Sequence, residues 1–187
     1  IGIKTNEFYV NMVKKNLFLI GMMGSWKSTV GEKLAGILKM EFVDTDDAIE
    51  EVTEMKISDI FKEFGEDRYR EMETAFFLEK SKQTGQVFST GGGIVLGSKN
   101  RKVLKEAGTT FFLKASMETL ANRIHNTMKR PLLTDCKNVQ LKLEQIWKER
   151  KSIYKNSAHH TVDTDNLNPM QVLDEILNLL EIPLANH

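Results

Sequence analysis

Short apolar runs alternate with stretches of helical spacing along most of the chain. Asn16-Leu17-Phe18-Leu19-Ile20 is the first run and ends in a glycine-containing turn, Gly21 to Ser25, as a strand buried on both faces would. Val30, Leu34, Ile37 and Leu38 predict a helix from about Ser28 to Lys39. Glu41-Phe42-Val43-Asp44 predicts a second strand, with Asp46 or Asp47 placed to cap the next helix. From 46 to 84 the pattern is helical and heavily charged, broken at Gly65, with apolar positions at Ile57, Ile60, Phe61, Phe64, Met72, Phe76 and Phe77. Gln86 to Ser89 reads as a third strand running into Thr90-Gly91-Gly92-Gly93, and Thr109 to Leu113 as a fourth after a helix near 98–107. A helix near 116–126, a polar segment over 126–138, a helix at about 138–155, a strand at His160 to Asp163 and a helix from Asn168-Pro169 complete the order. Five strands separated by helices imply an α/β domain with a parallel sheet covered on both faces, and such sheets bind ligands at the carboxyl ends of their strands.

The length of 187 residues suits one compact domain. We assign it to residues 16–187, with 1–15 as an N-terminal extension, disordered or left over from expression. Lys plus Arg and Asp plus Glu both number 26, which removes any global electrostatic reason for a nucleic-acid or anionic-membrane partner. The balance is uneven, however: residues 41–79 hold 4 basic and 14 acidic side chains, and the rest of the chain carries the opposite excess. Anion chemistry must therefore come from a few placed cations. A single cysteine, Cys136, leaves no partner for an internal disulfide, which suits a reducing cytoplasm. No apolar run approaches the ~20 residues that span a bilayer.

Gly21-Met22-Met23-Gly24-Ser25-Trp26-Lys27-Ser28-Thr29 has the frame of a phosphate-binding P-loop between a strand and a helix. Backbone N–H groups and the helix N-terminus favour an anion, Lys27 adds charge, and the Ser28 hydroxyl suits Mg²⁺. The position before the lysine departs from the pattern. It calls for glycine and holds Trp26, which a left-handed backbone would penalise by ~1–2 kcal/mol. A turn into a helix with no ligand is the plainer reading.

Other residues carry paired readings. Asp44 and Asp46 share a face if the chain stays extended, and so could serve a metal ion and a substrate hydroxyl; equally, they could only cap a helix. Arg70 and Arg150 sit among charged neighbours, as solvated helix faces do. Arg123 could be a surface arginine, and Gly91-Gly92-Gly93 a plain turn. His159-His160 reads as a surface pair.

In this order, the loop at 21–29, Val43-Asp44-Thr45-Asp46, Gly65-Glu66-Asp67-Arg68-Tyr69-Arg70 with Glu73, Ser89-Thr90-Gly91-Gly92-Gly93, Arg130-Pro131-Leu132-Leu133, Arg150 with Tyr154, and Thr161-Val162-Asp163-Thr164 resemble the motifs of the shikimate kinase family over residues 16–181. The resemblance implies a three-layer P-loop kinase fold with a five-stranded parallel sheet, a helical substrate-binding subdomain at about 46–84 and a lid at about 126–138. It further implies ATP-dependent phosphorylation of the 3-hydroxyl of shikimate, with Mg²⁺, by a monomeric cytoplasmic enzyme of chorismate and aromatic amino acid biosynthesis. Carried onto this sequence, Gly24, Ser25, Trp26, Lys27, Ser28, Thr29, Arg123 and Arg130 would meet the nucleotide, and Ser28 and Asp44 the metal ion. Asp46, Arg70, Gly91, Gly92, Gly93 and Arg150 would bind shikimate, with Lys27, Asp46 and Arg130 carrying the chemistry. Two other readings stay open: a related polyol kinase acting on a substrate such as gluconate, and a non-catalytic binding or regulatory relative, which Trp26 favours.

Overall fold

The computed structural model describes residues 15–124, 131–133, 136 and 138–182. Five strands, β1 (Asn16–Ile20), β2 (Glu41–Asp44), β3 (Gln86–Ser89), β4 (Gly108–Lys114) and β5 (His160–Asp163), form one sheet in the order β2-β3-β1-β4-β5. All four pairings are parallel. The helices are α1 (Lys27–Leu38), α2 (Thr45–Thr53), α3 (Ile57–Lys80), α4 (Ser98–Glu106), α5 (Met117–Arg123), α6 (Val139–Ser157) and α7 (Pro169–Leu179).

The strand period of two explains why β1 is apolar from Leu17 to Ile20. Phe18 and Ile20 join one core with Phe77, Phe88, Phe112 and Tyr154, whereas Leu17 and Leu19 join a second with Val30, Leu34, Phe111 and Val172. Helices therefore cover both faces, and the three-layer α/β arrangement expected from the sequence is what forms. Among the described residues, no helix is long and apolar enough to cross a membrane.

Three local expectations are corrected. Asp44, rather than Asp46 or Asp47, caps α2, accepting from the backbone N–H of both later aspartates. The chain turns helical at Thr45, so Asp44 and Asp46 lie at the end of a strand and in a first helical turn, not along one extended segment. Ile37 and Phe64 are exposed, at 39% and 47%. Ile37 falls at the edge of the α1 stripe, and Phe64 precedes Gly65, whose φ of 82° and ψ of 171° kink α3. Beyond the kink, Phe77 of α3 packs on Phe18 and Phe88 of the sheet. A small separate core of Ile49, Ile60 and Tyr69 joins α2 to α3, which gives the charged 46–84 stretch an interior of its own. Residues 1–14 of the expected extension, and the expected lid apart from 131–133, 136 and 138, lie outside the described residues.

Candidate active site

The carboxyl ends of β1, β2 and β3 open on a cleft of about 310 Å³. The loop after β1 turns directly into α1, whose N-cap side chain makes no hydrogen bond to the helix. First-turn N–H groups are thus left for an anion. Lys27 is buried beside this loop, its Nζ donating to the Met22 carbonyl at 2.9 Å and to Ser25 Oγ at 3.4 Å. Gly24, Trp26, Lys27, Ser28 and Thr29 line the cleft. Ser25 does not: it is wholly buried under Lys27 and positions that ammonium group, because its N–H is turned back to the Met22 carbonyl.

Trp26 adopts the left-handed backbone that the loop demands, with φ 67° and ψ 21°. Its indole leaves the loop on the side of α5, where the Arg123 guanidinium lies 3.3 Å from the ring centroid. Arg123 is fixed in turn by Thr164, donating to its Oγ1 at 3.0 Å and its carbonyl at 2.7 Å. Left-handed strain of ~1–2 kcal/mol is opposed by a cation–π contact of roughly 0.5–2 kcal/mol. The two are of one size, which explains how the fold accommodates an indole where glycine is expected.

Across the cleft, Asp46 Oδ1 accepts a hydrogen bond from the Tyr69 hydroxyl at 2.8 Å. Arg70 donates to Glu73 Oε2 at 2.8 Å and to Glu66 Oε1 at 3.0 Å. Arg150 is only 5% exposed, so it is no surface charge; Nη1 donates to the Gly92 carbonyl at 3.2 Å, and the buried Nε has no partner among the described residues. Arg68, by contrast, is exposed and paired with Glu71.

All three residues of the glycine run line the cleft. The Gly91 N–H is spent on Thr45 Oγ1 at 2.9 Å, so it is not a bare donor for a polyol. A Cβ on Gly91 would collide with Glu73 Oε1 and Asp46 Oδ1, and one on Gly93 with the Arg70 guanidinium. These glycines are needed because three charged side chains pass against the backbone there. Gly92 also holds Arg150 and the Tyr154 hydroxyl through its carbonyl. Arg130 lies outside the described residues, although its neighbours Pro131 and Leu132 line the cleft.

A family model described as shikimate kinase matches residues 23–181. The chain belongs to the shikimate kinase family. It is 40% identical over 168 residues to a shikimate kinase of Haemophilus influenzae (strain PittEE), covering 90% of this chain and 93% of that one. It is 41% identical over 167 residues to one from Sulfurihydrogenibium sp. (strain YO3AOP1), covering 89% and 98%. A solved shikimate kinase from Acinetobacter baumannii, in complex with shikimate, superposes with a TM-score of 0.89 at 33% identity over 94% of this chain and 97% of its own. Family membership supports the shikimate kinase reading over gluconate kinase and over a non-catalytic relative. Shikimate kinases use ATP, and the fold is shared with other P-loop kinases.

The donor set suits magnesium. Ser28 Oγ lies 2.6 Å from Asp44 Oδ2 and 3.1 Å from Ser89 Oγ, a hard-oxygen cluster beside the phosphate loop. The described residues hold no group of three or more acidic, histidine or cysteine ligands. That is compatible with Mg²⁺, which typically takes one or two protein oxygens and completes its shell with water and substrate phosphates.

Two residues beside Asp46 and Arg70 had no role assigned from the sequence. Tyr69 was visible only as part of a charged motif. Glu73 follows Arg70 by three residues on one helix, the spacing of a facing pair, and that was the available signal. Glu73 is 1% exposed, with Oε1 unpartnered among the described residues. Burial pushes its carboxyl up to about 7, nearby Asp46 pushes the same way, and Arg70 opposes both. A folded-state value above the ordinary 4.5 means that Glu73's contribution to stability is fully present below pH 4.5 and is lost as pH rises through about 7. Glu73→Gln removes that titration, so its melting temperature should gain on the parent's by a few degrees between those limits. Melting curves across the window check this; a constant difference would contradict it.

Proposed function

We propose that this chain transfers the γ-phosphoryl group of ATP to the 3-hydroxyl of shikimate, giving shikimate 3-phosphate and ADP. The observation that carries this reading is the meeting, in one cleft, of a phosphate loop with Asp46 and two arginines held on separate helices, Arg70 on α3 and Arg150 on α6. Two guanidinium groups suit a substrate carboxylate. An aspartate between them and the phosphate loop suits a hydroxyl.

In this mechanism Arg70 and Arg150 grip the carboxylate, and Gly92 bounds the ring. Asp46 accepts a hydrogen bond from the 3-hydroxyl and takes its proton as the oxygen bonds to the γ-phosphorus. The bond from that phosphorus to the β,γ-bridging oxygen breaks, and ADP leaves. Lys27 and the α1 N-terminus neutralise charge on the phosphates, so phosphoryl transfer is served by positioning and electrostatics. Gly24, Trp26 and Thr29 border the nucleotide phosphates, and Arg123 borders the nucleotide on the far side of the indole. Ser28 and Asp44 would hold Mg²⁺, which supplies charge neutralisation between the phosphates. The family resemblance assigns Arg130 to the transferring phosphoryl group. The cytoplasm is the compartment this chemistry suits.

A coupled ADP-release assay with a panel of acceptors tests the reading. Shikimate should be turned over and gluconate should not. Turnover of gluconate alone would contradict it.

A further inference from the structure

Tyr69 borders the cleft from the small core beneath it and touches two of the groups assigned to substrate. Its ring lies in the small core between α2 and α3 with Ile49 and Ile60, 3% exposed, and packs 5.0 Å from the ring of Phe61. The Arg70 guanidinium carbon sits 5.0 Å from the same ring. The hydroxyl reaches out of this core to Asp46 Oδ1. A phenol has one proton to give, and here it goes to the carboxylate.

We propose that Tyr69 is a positioning residue for phosphoryl transfer, its hydroxyl orienting the Asp46 carboxylate while its ring supports Arg70, so that the groups at the two ends of the acceptor keep a fixed separation. The inference rests on the proposed function. Asp46 lies in the first turn of α2 and Arg70 beyond the kink of α3. No backbone segment shorter than the connection through both helices relates them, and the Tyr69 side chain is a short cross-link between them. The hydrogen bond joins a neutral donor to a carboxylate, the stronger class. It selects one rotation of the carboxylate, and a reacting group held in one orientation is where rate is gained. Burial and the Asp46 charge both hold the phenol above its ordinary titration range, so it stays a donor throughout the working pH range.

The ring is anchored by apolar neighbours and not by the hydroxyl, which makes the two functions separable. Tyr69→Phe keeps the ring and its contact with Arg70. Its kcat with shikimate should fall about tenfold, with KM for shikimate within twofold of the parent. Tyr69→Leu removes the support under Arg70 as well, and should raise KM for shikimate about fivefold or more in addition. Steady-state kinetics of the parent and both variants, with melting temperatures alongside, read the split. A Tyr69→Phe enzyme with kcat within twofold of the parent overturns the proposal, as does a loss confined to KM. A parent chain that releases no ADP in response to shikimate removes the functional reading itself, an outcome visible before either variant is measured.

Discussion

Asp46→Asn should phosphorylate shikimate about 10²–10⁴-fold more slowly than the parent, with a much smaller change in KM for shikimate. The asparagine keeps an oxygen to accept the Tyr69 hydroxyl, so the cross-link from α3 and the small core around it survive. What disappears is the carboxylate that, in the proposed mechanism, receives the 3-hydroxyl proton. The proposed mechanism assigns shikimate binding to Arg70 and Arg150, whose described hydrogen bonds go to Glu66, Glu73 and the Gly92 carbonyl. Pre-steady-state measurement of phosphoryl transfer, beside shikimate binding by calorimetry, separates the two quantities. A variant that binds shikimate poorly but reacts at the parent's rate would reassign Asp46 to binding.

Lys27→Met should cost about 10²–10³-fold in kcat. The lysine is buried, and its ammonium is held against the loop by Met22 and Ser25, so it is preorganised beside the loop where the proposed mechanism places the phosphates. Methionine fills a similar volume without the charge. The melting temperature should change little, because the lost hydrogen bonds are accompanied by relief from burying a cation. A kcat within tenfold of the parent would show that the helix N-terminus and the bound metal ion suffice for the phosphates.

Strands β1 and β3 were legible because each carries a short apolar stretch, Leu17 to Ile20 in β1 and Val87-Phe88 in β3, bounded by glycine or polar residues. The site was legible where a motif fixes backbone shape, as at 21–29. It was poorly legible where burial decides the role. Arg150 stands between charged neighbours in sequence, yet α6 turns it inward, and no local pattern distinguishes it from Lys148 or Lys151. The pair Asp44 and Asp46 could not be placed from spacing, because whether the chain stays extended depends on Asp44 capping the following helix. Glycines 91 and 93 could have been a plain turn; the side chains they make room for come from α2 and α3, earlier in the chain. Trp26 looked like damage to the loop. The compensation, Arg123 held by Thr164, comes from residues some 100 and 140 positions away in the chain and could not be seen before the fold brought them together.

That compensation leads to the most direct measurement of the account, the rate of shikimate-dependent ADP release by the parent and by Trp26→Gly under saturating ATP. Since the indole is carried away from the loop by its contact with Arg123, both proteins should be active, with kcat values within about tenfold of each other. Activity in the glycine variant alone would contradict the account, because it would show that this loop, as it stands with Trp26, does not hold ATP for transfer.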